Sequence, residues 1–230
     1  MHKKYFQNPS FCSEIPSNSK VIAFTAMMNN ADHWRYLYDL SEKTVKSGGA
    51  FGIYDFHDLL DRRYVGMSVG PFLYSEKPLF TKSAMEVFER QGVLIKRVRA
   101  GNFRGFSRAT EVVQELKTKN LGYRDVLQSE KLMGDIFIRS SVSKISTMIE
   151  FSECVDDRVF LKHLARLALE FDAITATVST IIERDQPDIV IAHNGRVSHE
   201  AAVIEASKNN KCKYLLIEHG GTKGKYYRLT

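Results

Sequence analysis

Pro187-Asp-Ile-Val-Ile-Ala-His-Asn-Gly-Arg-Val-Ser-His-Glu-Ala-Ala-Val-Ile-Glu-Ala-Ser207, then a polar run, then Tyr214-Leu-Leu-Ile-Glu-His-Gly-Gly221: this stretch decides the fold. Ile189 to Ala192 is a short apolar run rich in β-branched residues, the pattern of a strand buried on both faces. His193-Asn194-Gly195-Arg196 breaks it with turn formers, and Asn194-Gly195 suits a tight turn with positive φ. From Val197 the apolar positions Val197, Ala201, Ile204 and Ala206 fall near helical spacing, with Ser198 as expected N-cap and Glu200 in the first turn. Asn209-Asn210 ends that helix. Tyr214 to Ile217 predicts a second buried strand, running into a polar glycine loop, Glu218-His219-Gly220-Gly221. The unit is β-loop-α-β-loop, and both loops follow strand carboxyl ends, where open parallel sheets bind ligands.

Upstream, Phe160 to Glu183 predicts a long helix with a stripe through Leu161, Leu164, Leu167, Ala168, Phe171, Ile174, Val178 and Ile181. The N-terminal part repeats the logic. Val21 to Met28 predicts a strand, Asn29-Asn30-Ala31-Asp32 a turn with Asn30 as cap, and Trp34, Leu37, Tyr38, Leu40 and Val45 a helical stripe ending at Ser47-Gly48-Gly49. Phe51 to Phe56 is the second strand, followed by His57-Asp58. Between the halves, Leu59 to Phe80 is irregular. Ser83 to Arg90 predicts a helix, Val93 to Val98 a strand, Ala109 to Lys119 a helix, and Leu127 to Glu150 one long helical pattern. The expected fold is α/β: a Rossmann-like parallel sheet flanked by helices, over 21–230, with 1–20 as a polar lead-in.

The 230 residues are 43% hydrophobic, enough for a proper core and against global disorder. No apolar stretch approaches membrane-spanning length, and no apolar run follows the basic residues near Met1, so neither a spanning helix nor a signal peptide is expected. Cys12, Cys154 and Cys212 fit no metal or redox spacing, which suits a reducing cytoplasmic setting. The net charge of +6 suits an anionic membrane or a phosphate-bearing small molecule. It is not gathered into a tract, and no recognition motif accompanies it, so nucleic acid is not an expected partner. Neither a Gly-Xaa-Gly-Xaa-Xaa-Gly nor a P-loop is present, against a dinucleotide dehydrogenase or NTPase.

Ile191-Ala-His-Asn-Gly-Arg196, the small-residue helix after it and Ile217-Glu-His-Gly-Gly221 resemble bacterial surface-polysaccharide glycosyltransferases of the GT-B type, those of capsule and lipopolysaccharide biosynthesis. Such proteins carry an Asn-Gly-Arg after one strand and a Glu-Xaa-Gly after the next, near the end of the N-terminal domain. The motif-level resemblance is confined to the opening stretch and is architectural elsewhere. It implies the N-terminal, acceptor-side domain. A GT-B enzyme places its active site between two Rossmann-like domains, and this chain has room for the acceptor-side one. The donor domain is therefore expected to be absent from the chain, to come from a longer protein or a partner chain, and transfer by this chain alone is expected to be weak or nil.

The resemblance implies a nucleotide-sugar donor, a glycan or lipid-linked acceptor, no cofactor, no metal, and peripheral contact with the inner face of the cytoplasmic membrane. Transfer needs a base for the acceptor hydroxyl, donors for the departing diphosphate, and substrates held together away from water. Asp32 and Glu218 are the candidate catalytic carboxylates. The other reading of Asp32 is a carboxylate serving a helix dipole, and that of Glu218 a residue orienting substrate or pairing with Arg196. Asn30, His33, Asn194, Gly195, Arg196, His219, Gly220 and Gly221 are the candidate binding residues. Arg196 either holds an anionic or hydroxyl-rich ligand or pairs with a nearby carboxylate. His193, His199 and His219 are spread over strand, helix and loop, so no metal site is expected. Phe103-Arg104-Gly105-Phe106 either lines an acceptor groove, touches membrane, or is a loop anchored by buried phenylalanine. The rival reading is a non-catalytic binding or assembly module, or half of a split enzyme.

Overall fold

The computed structural model describes residues 15–25, 31–56, 59, 86–98, 107–148, 156–219 and 226–229; for 31–35, 147–148, 218–219 and 226–229 it describes the course of the backbone. The elements are β1 (Lys20–Thr25), α1 (Ala31–Lys46), β2 (Ala50–Asp55), β3 (Leu94–Arg97), α2 (Arg108–Thr118), α3 (Tyr123–Gln128), α4 (Glu130–Gly134), α5 (Ile136–Met148), α6 (Asp157–Asp185), β4 (Ile189–His193), α7 (Ser198–Asn209), β5 (Lys213–His219) and β6 (Tyr226–Leu229). A helical segment at 86–90 precedes β3.

The strands form one sheet in the order β3-β2-β1-β4-β5-β6. The first five are parallel, with Val21 facing Phe51 on one side and Ile189 on the other. β6 runs antiparallel to β5. The α/β Rossmann-like sheet expected from the apolar runs is present. Ile189, Val190, Ile191 and Ala192 are each at most 1% exposed, as a two-sided strand requires.

Strand alternation divides the core in two. Val21, Ala23, Ile53, Ile189, Ile191, Leu215 and Ile217 face one side and pack with Tyr36, Leu37 and Leu40 of α1. Ile22, Phe24, Tyr54, Val190 and Ala192 face the other, under α2, α5, α6 and α7. This follows from right-handed crossovers. The chain steps outward from β1 through β2 to β3, then from β4 to β5 in the opposite direction, so α1 and α7 lie on opposite faces. The stripe on α6 is buried at Leu164, Leu167, Phe171, Ile174, Val178 and Ile181. Asp156 caps its start by accepting from the Arg158 and Val159 amides at 2.9 and 3.1 Å.

Several boundaries differ from the sequence expectations. Leu127 to Glu150 is not one helix. Ser129 accepts from the Leu132 amide at 3.3 Å and starts α4, and Asp135 accepts from the Phe137 and Ile138 amides at 2.9 and 3.1 Å and starts α5. These caps break the helix while the apolar spacing continues. Val45 is 36% exposed and lies off the buried stripe of α1. The N-cap of α7 is Val197, not Ser198. β5 runs on to His219, so Glu218 and His219 belong to a strand and pair with Tyr227 and Tyr226 instead of opening a loop.

Candidate functional site

The reversal of strand order falls between β1 and β4. At such a switch point the chains leaving neighbouring strands diverge to opposite faces and open a crevice at the carboxyl edge. Candidates from distant parts of the sequence follow strands that end on this edge. Asp32 and His33 lie in the first turn of α1, after β1. Asn194, Gly195 and Arg196 follow β4, and Glu218 and His219 end β5, the next strand along. The side chains of Asp32, His33, Glu218 and His219, and all of Asn30, Gly220, Gly221, His57, Asp58 and Phe103–Phe106, lie outside the described residues.

The turn after β4 is built from its own polar groups. Glu200, in the first turn of α7 and 5% exposed at its side chain, reaches back across it. One carboxylate oxygen is 2.9 Å from His193 Nδ1 and the other accepts the Gly195 amide at 3.1 Å. Asn194 Oδ1 accepts the Arg196 amide at 3.0 Å, closing an Asx turn. Gly195 has φ +72°, and a Cβ there would come within 2.4 Å of Ile204 Cδ1. Glycine is therefore favoured by the backbone sign, and a Cβ would in addition have to push aside the end of the Ile204 side chain. The result is a fixed loop that carries Arg196 exposed beyond the carboxyl end of β4.

Beneath this edge lies a polar cluster that the sequence reading did not single out. Lys144 of α5 and Glu170 of α6 are 3% and 2% exposed at their side chains, with Nζ 2.7 Å from Oε1. Ser198 donates to the same Glu170 oxygen at 3.3 Å. Lys144 Nζ is also 3.4 Å from His199 Nδ1. The signal for Glu170 was in the sequence: it sits three residues after Leu167 and four before Ile174, a charge on a buried stripe. Replacing such a pair with apolar residues is often neutral or stabilising, so stability alone does not account for it.

His199 places the cluster. Its ring packs against Phe56, with centroids 5.9 Å apart. Phe56 is the first residue beyond β2, and its amide donates to Thr25 at the end of β1, at 3.0 Å. Since β1 lies between β2 and β4, a side chain from α7 that touches Phe56 spans the end of β1. His193 and His199 thus engage separate partners, Glu200 and the Lys144–Glu170 pair. Among the described residues no group of three or more His, Cys, Asp or Glu is arranged to hold a metal ion. No helix among them is long and apolar enough to cross a membrane.

No protein-family model matches this chain, and no curated protein matches its sequence. Among solved structures, that of a CDPS from Fluoribacter dumoffii is similar at 13% identity and TM-score 0.45, over 97% of this chain and 96% of that one. The tyrosyl-tRNA synthetase from Archaeoglobus fulgidus, complexed with L-tyrosine, is similar at 9% identity and TM-score 0.33, over 95% of this chain and 63% of that one. Neither is a glycosyltransferase by name, and likeness at this level carries no inference about activity.

Proposed function

We propose that the chain binds a hydroxyl-rich glycan at the carboxyl edge of its sheet, as the acceptor-side domain of a GT-B-type glycosyltransferase for a bacterial surface polysaccharide. What supports this reading is the order of the strands, which puts the segments after β1, β4 and β5 on the carboxyl edge of the sheet. Asp32 and His33 come from the start of α1, Asn194–Arg196 from the turn after β4, and Glu218–His219 from the end of β5. Arg196, exposed on a turn fixed by Glu200, supplies planar donors suited to paired oxygens of a sugar or phosphate. Asp32 or Glu218 serves the acceptor hydroxyl as base or orienting group. The donor is a nucleotide sugar held by a second domain, in the same protein or in a partner chain, and the cytoplasmic face of the membrane is where a lipid-linked acceptor would be met. The chemistry asks for no metal.

A saturation-transfer NMR screen against short glycans and UDP-, GDP-, CMP- and dTDP-sugars tests this. Glycan signals are expected with the native chain, reduced at least tenfold in Arg196→Ala, with no donor signals. Donor binding by this chain, or glycan binding indifferent to Arg196→Ala, overturns the reading.

A further inference from the structure

We propose that the outer face of the first half of α6 is a membrane-contact surface, which lays Arg158, Lys162 and Arg166 on an anionic leaflet and Leu169 into its headgroup layer. In setting a membrane beside the carboxyl edge it rests on the function proposed above; the surface itself is read from α6 alone. At the helical angle of about 100° per residue these four positions fall within about 80° of one another, so they form one stripe. Ala165 and Ala173 share that face, and no acidic residue interrupts it between Arg158 and Ala173. Arg158 and Lys162 are exposed and Arg166 is half-buried. Among the described residues none of the three is ion-paired. The acids just before them are engaged elsewhere: Asp156 caps the helix, and Asp157 accepts the Tyr123 amide at 2.8 Å. Leu169 is 65% exposed, the most exposed of the large hydrophobic residues described. The alanines one turn to either side are too short to cover it.

The stripe lies at the end of the molecule where the strands terminate. The last residue of α6, Asp185, accepts from Lys20 at the start of β1, so the helix finishes at the amino edge. Glu170, about four turns earlier, meets Ser198 just past the carboxyl end of β4. The stretch from Arg158 to Leu169, about 17 Å long, therefore runs at and beyond the carboxyl edge. Its charge calls for an anionic partner, and the leucine selects among such partners. A nucleic-acid strand is met with aromatic side chains on which bases stack, and this face carries none. A second copy of the chain would set cation against cation. An anionic lipid surface suits both parts. It attracts lysine and arginine, whose long stems keep the charge among the headgroups, and it takes an apolar side chain at the acyl boundary. The ridge of a single helix meets such a plane without needing a groove.

Flotation of the whole chain with phosphatidylcholine vesicles, with and without phosphatidylglycerol, tests this. No glycan is present, so failure here and failure of the glycan reading are separate results. Binding is expected to the vesicles that contain phosphatidylglycerol, and is expected to weaken as salt rises. Each cation near an anionic leaflet raises partitioning about fivefold, so Arg158→Gln/Lys162→Gln is expected to weaken binding about twentyfold. Leu169→Gln leaves the charge intact and is expected to weaken it about fivefold. All three positions are exposed, so the variants are expected to fold, which circular dichroism checks. No binding by the native chain, or binding unchanged in the double variant, overturns the proposal. Binding that survives Leu169→Gln in full makes the face a site for any polyanion and overturns the lipid assignment. A nucleic-acid duplex bound as tightly as the vesicles, and released by the double variant, overturns it as well.

Discussion

Gly195 shows how much one residue of the crevice carries. Its φ of +72° costs an L-residue about 1–2 kcal/mol. A Cβ would also meet Ile204 Cδ1 at 2.4 Å. Gly195→Ala is therefore expected to destabilise the chain by about 1–3 kcal/mol in urea unfolding. Adding Ile204→Val deletes the clashing methyl and is expected to recover part of the loss, since the backbone sign remains. Full recovery, or none, would show that only one of the two causes operates. Tyr54 gives a second prediction. Burial, then a hydrogen bond to the carboxylate of Asp185, pushes its phenol up from 10 to about 12. The folded state thus keeps a proton that the unfolded chain gives up first. The contribution is whole below about pH 10 and lost as pH rises toward 12. Tyr54→Phe is expected to flatten the fall of the melting temperature between those values; a curve as steep as the native one would reject the assignment.

At the scale of elements, α2 depends on a residue 62 and 63 positions from the amides it caps. Ser107, its N-cap, makes no capping bond with its side chain. Asp172 of α6 does so across the interface, accepting the Ala109 and Thr110 amides at 3.0 Å each and the Thr110 hydroxyl at 2.8 Å. Helix starts leave such amides without intrahelical partners. Asp172→Ala is expected to cost about 1–3 kcal/mol and to speed hydrogen exchange at Ala109 and Thr110, with α7 unchanged. Equal protection in both would make the contact incidental. This capping was invisible in the sequence because Asp172 reads as a polar position between Phe171 and Ile174. What was legible were Ile189–Ala192, Tyr214–Ile217 and the α6 stripe, where burial imposes a period on residue type. The breaks at Ser129 and Asp135 were missed because caps interrupt a helix without disturbing that period. The antiparallel β6 was missed because Tyr226-Tyr227-Arg228-Leu229 has little hydrophobic pattern to read.

For the whole molecule the proposed function turns on which edge of the sheet is the binding edge. The carboxyl edge has the divergent crossovers, the fixed Asn194-Gly195-Arg196 turn and the Lys144–Glu170–His199 cluster. The amino edge has a groove of about 340 Å³ lined by residues including Lys20, Ala50, Gly52, Tyr54, Leu94 and Asp185. Its polar groups are already engaged. Lys20 donates to the Asp185 carbonyl, Tyr54 to the Asp185 carboxylate, and Arg184 to both Tyr54 at 2.9 Å and the same carboxylate. These bonds lash the end of α6 to β2, which is a structural task. Asp185 is correspondingly held well below the usual carboxylate range, chiefly by Arg184. The sequence could name residues at the carboxyl edge because strand ends are marked by turn formers. It could not show that α1 and α7 part to opposite faces, since that depends on strand order. Amide shift mapping with a bound glycan is therefore expected to mark Thr25, Phe56 and His193–Glu200, residues remote in sequence and adjacent through the order β2-β1-β4. Shifts gathered instead at Lys20, Gly52 and Leu94 would move the site to the amino edge and leave the switch point as architecture alone.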